Sequence, residues 1–164
     1  MKSKAALGTH PIHPMLVPIP IGAFFLALIG DVLHSTTPND PFWYDLSYTC
    51  LGIGLLFALL AAVFGAIDYL GVKMSSRTFH LATWHAVINA LGLILFAATF
   101  VIRRHGNASV GPRWSLAFGL FLAGFALIGA GSWIGGKLAY EHRVGVVEPP
   151  AEPVPHPRSM SAAS

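Results

Sequence analysis

The side chains of this 164-residue chain that could do chemistry are its eight histidines and two carboxylates, Asp31 and Asp68, set at the edges of apolar runs. His85 and Asn89 are one helical turn apart and share a face. His85 comes five residues after His80, about 7 Å further along a helix. A neutral imidazole at that depth is a natural axial ligand to haem iron, which needs a second ligand on the opposite porphyrin face. His13 is the matching partner, because the first and third helices start on the same side and run in the same direction. His10, His13 and His85, with His142 or Asp68 in reach of the first two, offer an alternative zinc, copper or iron site. A plainer use competes with both. His85 and Asn89 could hydrogen-bond between helices for about 1 kcal/mol, and His10 and His13 could serve carbonyls left free by Pro14 and Pro18.

The carboxylates carry a second reading. An ionisable residue inside a span needs a partner or a proton. Asp31, Asp68 and His85 could therefore mark a proton or small-ion path. Against this, Asp31 has His34 three residues on as a local partner, and Asp68 has Lys73 nearby. No Ser/His/Asp order, glycine-rich phosphate loop or nucleophile elbow is present, so hydrolase and nucleotide-dependent readings have no support, and the enzyme question stays open with a non-enzyme favoured. The lone Cys50 supports no disulfide, CxxC pair or haem-attachment motif.

What must position these groups follows from where charge is missing. Only 10% of residues are Asp, Glu, Lys or Arg, against about 25% in soluble domains. None falls in residues 5–30, 46–67, 78–102 or 114–136. Each gap can cross a bilayer as a helix, which takes about 20 residues. The fold class is therefore all-α, a polytopic membrane protein with four transmembrane helices in an antiparallel bundle. Soluble enzymes, disulfide-stapled domains and disordered chains are excluded. The charge of +3 reflects basic residues beside the spans and gives no support to nucleic acid as a partner. With four spans, Lys2, Lys4, Lys73, Arg77, Lys137, Arg143 and Arg158 lie on one side and Arg103, Arg104 and Arg113 on the other. That asymmetry puts both termini in the cytoplasm.

Three segments are expected: an interfacial stretch over 1–13, the membrane domain over 14–147, and a disordered Pro-rich tail over 148–164. The first span reads as a retained helix rather than a signal peptide. Four prolines, Pro11, Pro14, Pro18 and Pro20, open it, and no small-x-small site follows. The helices are expected from about Pro14 or Pro18 to His34, Asp45 to Leu70, Thr78 to Ile102, and Arg113 to Tyr140. Phe42, Trp43 and Tyr44 read as an interfacial belt. In the second helix Gly54, Ala58, Ala61, Gly65 and Asp68 form one stripe, a face for close helix approach and, with glycine-rich helix four, for self-association. An internal parallel repeat is suggested at an offset of 71, pairing Trp43 with Trp114, Leu51 with Leu122, Gly65 with Gly136 and Phe25 with Phe96.

The run His10-Pro11-Ile12-His13-Pro14-Met15-Leu16-Val17-Pro18-Ile19-Pro20-Ile21-Gly22, then Asp31, Gly65-Ala66-Ile67-Asp68-Tyr69, His85 to Asn89 and Gly135-Gly136-Lys137-Leu138 before His142 resembles the bacterial domain-of-unknown-function family 2231. The resemblance covers about residues 8–146. It implies a small four-helix protein of the bacterial plasma membrane with no assigned activity, some relatives carrying a Rieske-type domain. This chain has no cysteine-histidine cluster, so a redox partner would be a separate polypeptide. The leading expectation is a redox or cofactor-binding subunit holding haem b or a metal at His13 and His85, with Asn89 beside them. The alternatives are the ion path and a structural or assembly subunit.

Overall fold

A computed structural model describes residues 2–104 and 111–146. The expected tail and His105 lie outside the described residues. Among the described residues four helices are long and apolar enough to cross a membrane, the first made of two pieces. They are α1 (Ile12–Leu16) running into α2 (Pro18–Thr36), α3 (Pro41–Gly71), α4 (Ser76–Arg104) and α5 (Pro112–Tyr140). The expected bounds hold to within a few residues except at the start. There the interfacial stretch is ordered: β1 (Ala6–Leu7) pairs antiparallel with β2 (His10–Pro11), and helix begins at Ile12. Gly8, at φ 63°, supplies the positive φ that the two-residue turn requires.

Helix ends in lipid must satisfy their own backbone groups. The hydroxyls of Ser35, Thr36 and Thr37 donate to the carbonyls of Val32 and Leu33 at the end of α2. Asp40 caps α3, accepting from the Phe42 N–H at 3.0 Å, with Pro41 at the first helical position. Between them Pro18 and Pro20 offer no N–H. The chain turns through Val17, whose N–H still reaches the His13 carbonyl at 3.2 Å.

The chain forms two hairpins, α1–α2 with α3 and α4 with α5, and they are the same unit twice. Buried Pro20, Phe24, Ala27 and Asp31 in α2 correspond to Gly92, Phe96, Thr99 and Arg103 in α4. The separation is 72 residues, as between Asp31 and Arg103. Buried Tyr44, Ser47, Leu51, Gly54 and Ala61 in α3 correspond to Trp114, Ala117, Phe121, Gly124 and Gly131 in α5, 70 residues on in each case. The offset of 71 is thus corrected. It would pair fully buried Leu51 with exposed Leu122, and half-exposed Phe25 with fully buried Phe96. The two halves run in the same direction, a parallel repeat about an axis along the membrane normal.

Three counterpart pairs meet on that axis. The His13 and His85 rings lie near one end, Phe24 against Phe96 in the middle at 4.2 Å, and Asp31 against Arg103 near the other. At 1.5 Å per residue the first and last pairs stand roughly 27 Å apart, about the thickness of the hydrocarbon layer. The apolar core surrounds the middle pair: Phe24, Ala27, Cys50, Leu51, Phe96 and Phe121. Glycine makes the close approach possible. A Cβ on Gly54 would stand 2.4 Å from the Phe24 ring, and one on its counterpart Gly124 would stand 2.9 Å from the Phe96 ring. The small-residue stripe of α3 therefore faces its own hairpin partner.

Gly54→Ala and Gly124→Ala should each destabilise the protein by about 1–3 kcal/mol through overpacking. Gly119→Ala, where a Cβ meets open space, should leave thermal unfolding in detergent unchanged.

Candidate functional site

His13 sits in α1, where the proline-bent start of the first span turns its ring onto α3. Its Nδ1 lies 2.7 Å from the Ala61 carbonyl oxygen, and the ring rests on Gly65, where a Cβ would stand 3.0 Å from Nδ1. His85 repeats this in the second hairpin. Its Nδ1 lies 2.9 Å from the Gly131 carbonyl oxygen, with Gly135 under the ring. A carbonyl oxygen only accepts, so in both rings Nδ1 carries the hydrogen. In the neutral ring Nε2 then keeps its lone pair. The two rings are 6.3 Å apart between centroids, with planes at 88°. Both side chains are half-buried.

Asn89 supports this arrangement from one turn away. Its amide donates to the His85 backbone carbonyl at 2.7 Å. The amide also fills the space over Gly131, where a Cβ would stand 2.5 Å from its nitrogen. The Gly131 and Gly135 spacing therefore serves the side chains of Asn89 and His85. His10 does not join the pair. It is exposed on β2, with Thr9 as its nearest polar neighbour at 3.5 Å. His142 pairs with Thr78 at 2.9 Å and His80 is exposed. Among the described residues no three His, Cys, Asp or Glu side chains gather as a metal-binding group.

The two carboxylates go elsewhere than expected. Asp68 does not take Lys73. It accepts from Ser3 Oγ at 2.8 Å and from the backbone N–H groups of Lys4 at 2.7 Å and Ala5 at 3.0 Å, tying the N-terminal segment to the end of α3. Asp31 does not pair with His34. One oxygen accepts from Ser47 Oγ at 2.7 Å and the other from Arg103 Nη2 at 2.7 Å, while Arg103 Nη1 donates to Ser47 Oγ at 2.8 Å. Both charged side chains are almost wholly buried. The Arg103 guanidinium also lies 5.9 Å from the Phe121 ring centre. Ser47 and Asp68 share α3 and stand roughly 31 Å apart along it. Phe24, Phe96 and Phe121 fill the bundle between their levels.

His34 is fully buried between the counterpart rings of Tyr44 and Trp114, at 5.5 and 5.7 Å. Among the described residues neither of its ring nitrogens has a hydrogen-bond partner, and the same holds for Arg103 Nε and Trp114 Nε1. Tyr44 is no interfacial anchor: its hydroxyl donates to the Arg103 carbonyl at 3.1 Å. Sequence reasoning missed Arg103, Ser47, Tyr44 and Trp114 as members of this buried cluster. The available signal was that Arg103 stands 72 residues after Asp31, as His85 stands after His13.

A family model described as Predicted membrane protein (DUF2231) matches residues 9–148. No curated protein and no solved structure matches the chain.

Removing one member of the buried ion pair leaves a charge without a partner, at a cost of about 3–5 kcal/mol, whereas replacing both by apolar groups is close to neutral. Asp31→Leu or Arg103→Met alone should therefore strongly lower the unfolding temperature in detergent. The double variant should recover most of the loss.

Proposed function

The chain belongs to the DUF2231 family of predicted membrane proteins, and we propose that it is a redox or cofactor-binding membrane subunit whose ligand site is the His13–His85 pair. One observation carries this reading. Two imidazoles from the two halves of the bundle meet on the pseudo-twofold axis, and each is bonded through Nδ1 to a carbonyl of its own hairpin partner. Metal-ligating histidines commonly donate the other ring N–H to a carbonyl or carboxylate, which sets the tautomer and orients the ring. Here that leaves Nε2 of both rings as lone-pair donors.

The separation supports the same assignment. The two rings stand 6.3 Å apart between centroids, close enough that one shared group could be held by both. His13 and His85 would hold haem b or a metal, and only two protein ligands favour haem b, which brings nitrogens of its own. The bound group would supply one-electron chemistry. Within the chain, Ala61 and Gly131 fix the ring tautomers, Asn89 buttresses the His85 backbone, and Gly65 and Gly135 give the rings room. A half-buried site in a lipid-embedded bundle requires an electron donor or acceptor to dock from outside, so the partner is a separate redox polypeptide. The basic-residue asymmetry supports cytoplasmic termini, and the family supports a bacterial plasma membrane.

Protein made with ample haem supply and purified in detergent should show a Soret band that shifts on dithionite reduction, with about one iron per chain. His13→Ala and His85→Ala should each abolish or displace the band, and Gly135→Ala should perturb it. A missing Soret band together with no stoichiometric metal would overturn the assignment.

A further inference from the structure

Lys2, Lys4 and Lys73 converge on one cavity of about 300 Å³ at the end of α3, which they line with Gly71 and Val72. The convergence is built into the fold. The Asp68 carboxylate clamps residues 3 to 5 to the last turn of α3 through Ser3 Oγ and two backbone N–H groups. The Lys4 stem lies over Gly71, where a Cβ would stand 2.7 Å from its Cγ. The Ala5 carbonyl, accepting from the Ile12 N–H at 2.9 Å, ties the clamped segment to α1. Three lysines are thereby held at the rim of one pocket.

Asp68 directs its oxygens at neutral donors, and among the described residues the three ammonium groups have no carboxylate partner. The cavity also lies at the end of a membrane-spanning helix, with Leu70 and Leu7 strongly exposed close by in the chain. A compact anion with several acceptor oxygens satisfies three ammonium groups at once. The exposed leucines place that anion beside acyl chains.

We propose that Lys2, Lys4 and Lys73 form a phosphate-binding site at the membrane surface, recognising the phosphate of an anionic phospholipid headgroup or a soluble phosphate. The site is separate from the histidine pair, and its test does not depend on any cofactor.

The full-length protein in neutral detergent is titrated with phosphatidylglycerol, with phosphatidylcholine and, in a separate arm, with inorganic phosphate, and bound species are counted by native mass spectrometry. Three lysines at a membrane surface should favour the anionic over the zwitterionic lipid by roughly 10- to 100-fold. The triple variant Lys2→Gln, Lys4→Gln, Lys73→Gln should lose that preference. The Lys→Arg triple should keep it, as should the charge-matched control Arg77→Gln, Arg104→Gln, Lys137→Gln. Lysine-dependent binding of phosphatidylglycerol assigns the lipid as source, and lysine-dependent binding of inorganic phosphate alone assigns the soluble anion. Overturning results are equal binding of both lipids with no phosphate bound, or a preference that survives in the Lys→Gln triple.

Discussion

A carboxylate and a guanidinium with almost no exposure meet at 2.7 Å across the axis between the two hairpins. Buried inside the bundle, neither side chain has water to replace its partner, so Asp31 and Arg103 must find each other. That requirement sets the depth of α2 against α4. Once the depth is set, Phe24 faces Phe96 and His13 faces His85, because each lies the same distance along its own helix. Ser47 adds a hydrogen bond to each member of the ion pair, and Tyr44 holds the Arg103 backbone, so α3 is tied to the same contact.

The two halves share one packing plan and differ where their surfaces must not be identical. An exact twofold would set aspartate against aspartate or arginine against arginine on the axis, and two like buried charges repel. Opposite charges at equivalent positions convert that repulsion into the attraction that joins the hairpins. At the other end identity is kept, and two equal imidazoles face each other. The middle layer keeps identity too, Phe24 and Phe96 each seated on a glycine of its own hairpin partner.

Much of this was legible in the sequence because lipid imposes simple rules. The charge-free runs located the four helices, and in the stripe of Gly54, Ala58, Ala61, Gly65 and Asp68 the glycines and Ala61 meet the first span, whereas Asp68 holds the N-terminal segment. His85 and Asn89 were recognisable as neighbours one turn apart, and the structure brings the His13 ring beside His85. The ion pair was hidden because Arg103 stands beside Arg104 at the end of an apolar run, the usual pattern of an interfacial anchor. The repeat was blurred because Tyr44 follows Asp31 by 13 residues whereas Trp114 follows Arg103 by 11. The first helices therefore correspond at 72 and the second at 70, and a single offset of 71 matches neither. The partners of Asp68 were hidden for a different reason. They come from a segment brought back by a turn at Gly8, and two of them are backbone N–H groups, which carry no side-chain signal.

If the axial contact organises the bundle, its direction should matter less than its presence. Exchanging the charges in the double variant Asp31→Arg with Arg103→Asp tests this directly by thermal unfolding and monodispersity in detergent. The pseudo-twofold arrangement predicts that the exchanged protein folds and unfolds far closer to the native temperature than either single variant, each of which buries two like charges on the axis. An exchanged protein as damaged as the single variants would contradict the account.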